Sequence, residues 1–226
     1  MMKYIQNSVL SFNESKKEYN VLGIPVYLLS PFTKKINFNL VLQQIEKLIP
    51  RRLLRNVEII YVANIKDFNK DNGAFNALYK DGAIYISPEQ DNEKDLLDDI
   101  IHEIAHSFEK DYQEFIFEDG SLEREFLGKR RKLYYLIDKP TVNVLVYNNP
   151  EYDARFDHHL YNELDYDYLR TVSSQLFYSP YAITSLREYW ANGFENYLLG
   201  DKQMLRDLSP ILYNKIETII DNSEET

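Results

Sequence analysis

The sequence predicts an α+β fold, and three observations carry that expectation. Short apolar, β-branched runs punctuate the first ninety residues, Val57 to Ala63 being the clearest buried strand. A stretch near 92–109 then places apolar residues at helical spacing. The same spacing returns after Ser185 and runs almost to the C-terminus. The 226 residues suggest one domain carrying a large insertion. A chain of that size buries roughly 70% of its unfolded surface and needs no staple to fold. The expected organisation is a single domain over 1–226, with a β-rich extension at 1–35 and an insertion at 110–180.

Taken in order, Ile24 to Leu29 reads as a strand closed by Ser30-Pro31. Leu40, Leu42, Ile45, Leu48 and Ile49 then repeat at helical spacing and stop at Pro50. Asp81-Gly82 is a turn signal, and Ala83 to Ser87 after it reads as another strand. Ser87 and Asp91 are equal candidates to cap the following helix. On that helix Leu97, Ile100, Ile101, Ile104, Ala105 and Phe108 share one face, opposite Glu93, Lys94, Asp95 and Asp98. Within the insertion, Thr141 to Tyr147 is the one segment read as a strand. Leu186 to Leu198 is helical and stops at Gly200, and a last helix spans 202–221 with a break near Pro210.

Composition narrows the chemistry. There is no cysteine, so disulfides, thiolate metal sites and cysteine nucleophiles are excluded. A net charge of −10 argues against a nucleic-acid partner, which requires a cationic surface. No run approaches the roughly 18–20 apolar residues of a membrane span. The first eight residues hold no basic segment followed by an apolar core. The expected location is cytoplasmic, or outside the cell by a route without an N-terminal signal peptide.

The motif that carries chemistry is His102-Glu103-Ile104-Ala105-His106. On a helix, positions i and i+4 lie one turn apart on the same face. Two imidazoles so placed can supply two nitrogens to one tetrahedral Zn²⁺. Glu103 projects beside them, where a carboxylate acts as general base on a zinc-activated water. The bland alternative is two histidines on a solvated stripe, but Ile101 and Ile104 bracket the motif with apolar residues. A catalytic zinc needs a third protein ligand and an open fourth position. Glu188, at the start of the later helix, is the favoured donor, and Ala191 and Gly193 would let that helix pack closely against the first. Glu195, two turns on, is the competing donor. Glu188 would otherwise be an acid complementing the helix dipole.

His102-Glu103-Ile104-Ala105-His106, Tyr181-Ala182, and Glu188-Tyr189-Trp190-Ala191 with Phe194 together resemble the protease domain of anthrax lethal factor and the related bacterial Pro-Pro endopeptidases. In that family a tyrosine lies seven positions before the glutamate ligand, the interval from Tyr181 to Glu188. The resemblance covers roughly 40–110 and 178–222. It implies a zincin-like fold: a small mixed sheet with an edge strand, an active-site helix, a ligand helix and a closing helix. It further implies one zinc on His102, His106 and Glu188, Glu103 as base, and Tyr181 donating a hydrogen bond to the developing oxyanion. The chain departs from the family at Asn192, where an acid is frequent, and throughout 110–180.

Ala83 to Ser87, just before the metal helix, is the candidate edge strand for an extended peptide; the competing reading is an interior strand. His158-His159 with Asp153 or Asp157 is a weak second metal candidate, since neighbouring side chains diverge. Lys129 to Lys132 reads as a solvated basic face rather than a phosphate site. The Tyr- and Asp-rich run from Tyr147 to Tyr168 reads either as a lid over substrate or as a packed insertion. The expected function is a zinc-dependent endopeptidase acting on a protein or peptide. The alternative is a catalytically inactive, metal-stabilised binding or assembly protein. Oligomeric state is not legible.

Overall fold

In the computed structural model, residues 17–64, 76–138 and 141–224 are described. The N-terminal residues read above for an export signal lie outside them. The chain divides after Phe108 into two compact units. The first unit is α+β, with a five-stranded mixed sheet ordered β1-β2-β3-β5-β4. The strands are β1 Lys17–Val21, β2 Ile24–Leu28, β3 Ile59–Val62, β4 Ala77–Lys80 and β5 Ala83–Ile86. β1–β2 and β4–β5 are antiparallel hairpins, while β3 runs parallel to both β2 and β5.

Both hairpins turn in two residues at positive φ, Leu22-Gly23 and Asp81-Gly82. That geometry follows the right-handed twist of the flanking strands, and Gly82 accepts it without a Cβ penalty. Ile60 and Val62 bury one face of β3. On the other face Tyr27, Tyr61 and Tyr85 align in register and stack at 5.9 and 5.6 Å between ring centroids. Cross-strand aromatic pairs of this kind stabilise a sheet beyond their buried area. Helix α1, Phe38–Leu48, buries Phe38, Val41, Leu42 and Ile45.

Helix α2, Glu93–Phe108, is the helix expected near 92–109. Leu96, Leu97, Ile100, Ile101, Ile104, Ala105 and Phe108 are buried along it. Its cap is neither expected candidate. Asn92 Oδ1 accepts from the N–H groups of Lys94 and Asp95, while Ser87 Oγ accepts from Glu89. An asparagine one residue closer to the helix satisfies the orphan donors without displacing β5. The expected edge strand is also corrected. Residues 83–86 pair on both sides, with β3 and β4, so among the described residues the edge on that side of the sheet is β4.

The second unit is helical among its described residues. It contains α3 Ser121–Leu136, α4 Ala154–His158, α5 Tyr166–Ser173, α6 Leu186–Leu199, α7 Lys202–Leu208 and α8 Pro210–Glu224. Ser185 caps α6 and Gly200 ends it, as expected, and the break before Pro210 separates α7 from α8. The strand expected over Thr141–Tyr147 is not formed. Asn143 Oδ1 accepts from Leu145 N–H, and the chain then closes into a 3-10 turn at Val146–Asn148. A local side-chain bond has won over the ladder there.

Gly193 does allow a close approach, but to α8. A Cβ at that position would lie 2.3 Å from Leu212 Cδ2. Among the described residues, no helix is long and apolar enough to cross a membrane.

Candidate metal centre

The site begins with the helix that carries it. α2 is amphipathic enough to be buried along most of its length, so the two histidines one turn apart are held by a rigid backbone. His102 is buried and His106 half-buried. Their Nε2 atoms are 3.2 Å apart, and the rings meet edge to face with centroids at 4.9 Å. Two nitrogens that distance apart, each about 2.0–2.1 Å from one ion, subtend an angle of about 100°, close to tetrahedral.

Glu188 is set by its own helix. Ser185-Leu186-Arg187-Glu188 has the capping-box pattern, and Ser185 Oγ accepts from the Glu188 N–H at 3.2 Å. The main-chain carbonyl of Pro150 accepts from Leu186 N–H at 2.8 Å, tying the chain before α4 to the same helix start. His102, His106 and Glu188 each offer one donor atom, and all three lie within 4.8 Å of one another. Two nitrogens and a carboxylate oxygen form a set that could hold a metal ion. The competing Glu195 is not in that group. Its carboxylate accepts from Asn192 Nδ2 at 3.4 Å and Asn196 Nδ2 at 3.5 Å.

The surroundings of Glu188 in its own unit are acidic and phenolic. Burial pushes the Asp157 carboxyl up, and the Glu188 charge pushes it the same way. The Tyr152 and Tyr161 phenols are raised by burial first, with Asp157 and Glu188 adding to it. A cation at Glu188 would relieve that accumulation of negative charge.

Glu103 is buried beside the histidines on α2, and its Oε2 accepts a hydrogen bond from the main-chain N–H of Tyr79 in β4. The Tyr79 hydroxyl donates in turn to the Asn56 carbonyl at 3.0 Å. Tyr79 was missed in the sequence. The signal was there, because Ala77 to Lys80 and Ala83 to Ile86 flank Asp81-Gly82 as the two arms of a hairpin. Tyr181 opens a 3-10 turn, Tyr181–Ile183, and its side chain is 38% exposed. Asn192 is buried, and its Oδ1 has no hydrogen-bond partner among the described residues.

The weaker candidates resolve differently. His159 is buried, with Nδ1 at 2.8 Å from Glu163 Oε2 and 3.1 Å from Thr141 Oγ1, and Nε2 at 3.2 Å from the Tyr147 hydroxyl. Asp153 caps α4 instead, and Asp157 accepts from Tyr152. Neither histidine of that pair belongs to a metal-holding group among the described residues.

Half of the basic knot is buried rather than solvated. Arg130 is 1% exposed, donates to the carbonyls of Asn149 (2.6 Å) and Val146 (3.0 Å), and stacks 4.0 Å from the Phe156 ring centroid. Lys129 Nζ donates to the Tyr189 hydroxyl at 2.7 Å and to Ser209. Carbonyls for Arg130, hydroxyls for Lys129 and aromatic rings for both supply what water would otherwise give these cations.

No family model, no curated protein and no solved structure matches this chain.

Proposed function

We propose that the protein is a zinc-dependent endopeptidase. The observation that carries this reading is the convergence of donor atoms from His102, His106 and Glu188 within 4.8 Å, the two histidines lying on the helix that also bears Glu103. Two imidazoles and one carboxylate are the donor set of hydrolytic zinc sites, which keep the fourth position for solvent. When bound, zinc polarises a peptide carbonyl and brings the pKa of a water towards 7. His102, His106 and Glu188 would hold the ion, each imidazole through one ring nitrogen. Glu103 takes the proton of the attacking water and delivers it to the leaving amine. Tyr181 donates its phenolic hydrogen to the oxyanion.

The resemblance to the lethal factor and Pro-Pro endopeptidase proteases supports the same assignment and would make the fold zincin-like. The substrate is a protein or peptide, and an extended segment of it would add to the sheet at β4.

The test pairs metal analysis of the purified protein with cleavage of a mixed peptide library. One zinc per chain, with cleavage that a chelator abolishes and added zinc restores, is the expected result. One zinc with no peptide cleaved would instead favour a metal-stabilised binding protein. Absence of any bound metal after loading with zinc would remove both.

A further inference from the structure

The hairpin β4–β5 fixes which main-chain groups of β4 face outward. Its two-residue turn makes Lys80 and Ala83 the first paired residues. Hydrogen-bonded pairs alternate from there, through Leu78–Tyr85 to Asn76–Ser87, where Ser87 N–H donates to the Asn76 carbonyl at 2.7 Å. Tyr79 therefore falls in a non-hydrogen-bonded pair with Ile84, and its N–H points away from β5. That N–H is the group that donates to Glu103 Oε2.

We propose that Tyr79 is a positioning residue for Glu103, acting through its main-chain N–H; this rests on the peptidase reading. A glutamate side chain has three rotatable bonds, and a general base must meet its water within a few tenths of an ångström. The strand amide holds Oε2 and so limits the orientations the carboxylate can take. The bond also ties the sheet edge to the base. A peptide strand that paired with Tyr79 N–H would compete with Glu103 for the same donor, so the peptide's register on β4 is anchored at other groups.

Two substitutions separate the amide from the ring. Tyr79→Ala keeps the N–H and removes the side chain; Tyr79→Pro removes both. Proline breaks no sheet bond here, because this N–H lies outside the β4–β5 ladder. In zinc-loaded protein, Tyr79→Pro is expected to show kcat about tenfold to a hundredfold below that of Tyr79→Ala, with KM within about twofold and zinc content unchanged.

A second readout needs neither zinc nor substrate. In the metal-free protein the Tyr79 amide proton is expected to exchange slowly, and Glu103→Ala to accelerate that exchange about tenfold or more while neighbouring sheet amides keep their protection. Equal kcat in folded Tyr79→Ala and Tyr79→Pro, or Tyr79 exchange unmoved by Glu103→Ala, overturns the proposal. Should Tyr79→Pro fail to fold, the exchange measurement decides it. A wild-type protein that cleaves no peptide sinks the peptidase reading, and exchange still decides whether the strand holds Glu103.

Discussion

Ser185 and Glu188 are joined across the first turn of α6, the serine Oγ accepting from the glutamate main-chain N–H at 3.2 Å. The bond fixes the backbone that carries the Glu188 carboxylate. Ser185→Ala removes the cap and is expected to cost about 1 kcal/mol of stability. Because the carboxylate loses its fixed base, zinc affinity should fall about tenfold as well. Ser185→Thr keeps the acceptor and should restore both. Thermal melts and a competitive zinc titration on the three proteins check this, and an unchanged affinity in Ser185→Ala would detach the cap from the metal centre.

Glu103 and Tyr181 are expected to affect catalysis without affecting metal. Glu103→Gln keeps the side-chain volume but cannot accept a proton, so turnover should drop about 10²–10⁴-fold while one zinc is retained. Tyr181→Phe removes one donor to the oxyanion and should lower kcat about 10²–10³-fold, again with zinc content unchanged. Turnover near wild type in either variant would remove that residue from the mechanism.

What was legible in the sequence was local. The spacing of His102 and His106 fixes their shared face within one helical turn, and Ser185 and Gly200 bound α6 by capping rules that need no tertiary partner. The sheet edge was not legible in that way. Which strand lies outermost depends on pairing between segments far apart, and Ala77–Lys80 is only four residues long with no β-branched member. Lys129 and Arg130 misled for a related reason. A run of four basic residues is usually solvated, and the hydroxyl, carbonyls and rings that satisfy these two come from positions remote in the chain. Glu188 was favoured over Glu195 from position on the helix, but only the gathered donor atoms separate the two.

Gly193 tests the packing beneath the ligand helix. A Cβ there would meet Leu212 Cδ2 at 2.3 Å, Cγ at 2.7 Å and Cδ1 at 2.9 Å, and Leu212 is buried. All three atoms lie beyond χ1 of a buried leucine, so either Leu212 changes rotamer within a packed core or α6 and α8 move apart. Gly193→Ala is expected to destabilise by about 1–3 kcal/mol despite its gain in helix propensity. Leu212→Ala makes room, so the double variant should be more stable than the sum of the single effects implies. Additive denaturation midpoints would show that the two residues do not press on each other.

Lys129 predicts a pH dependence. Its ammonium is buried on α3, and burial lowers its pKa from 10.5 to about 8, against the opposing pull of the Glu125 charge. In the unfolded chain the group titrates near its ordinary value. Between about 8 and 10.5 the unfolded chain therefore binds more protons than the folded one, and stability rises with pH across that window. Below pH 8 the folded protein must carry the buried charge, and the gain is lost. The chain's 19 tyrosines titrate in the upper part of the same range, so the informative quantity is a difference. Relative to Lys129→Met, the metal-free wild type is expected to gain stability in urea between pH 7.5 and 10. Parallel curves for the two proteins would mean that burial does not hold the Lys129 ammonium below its ordinary pKa.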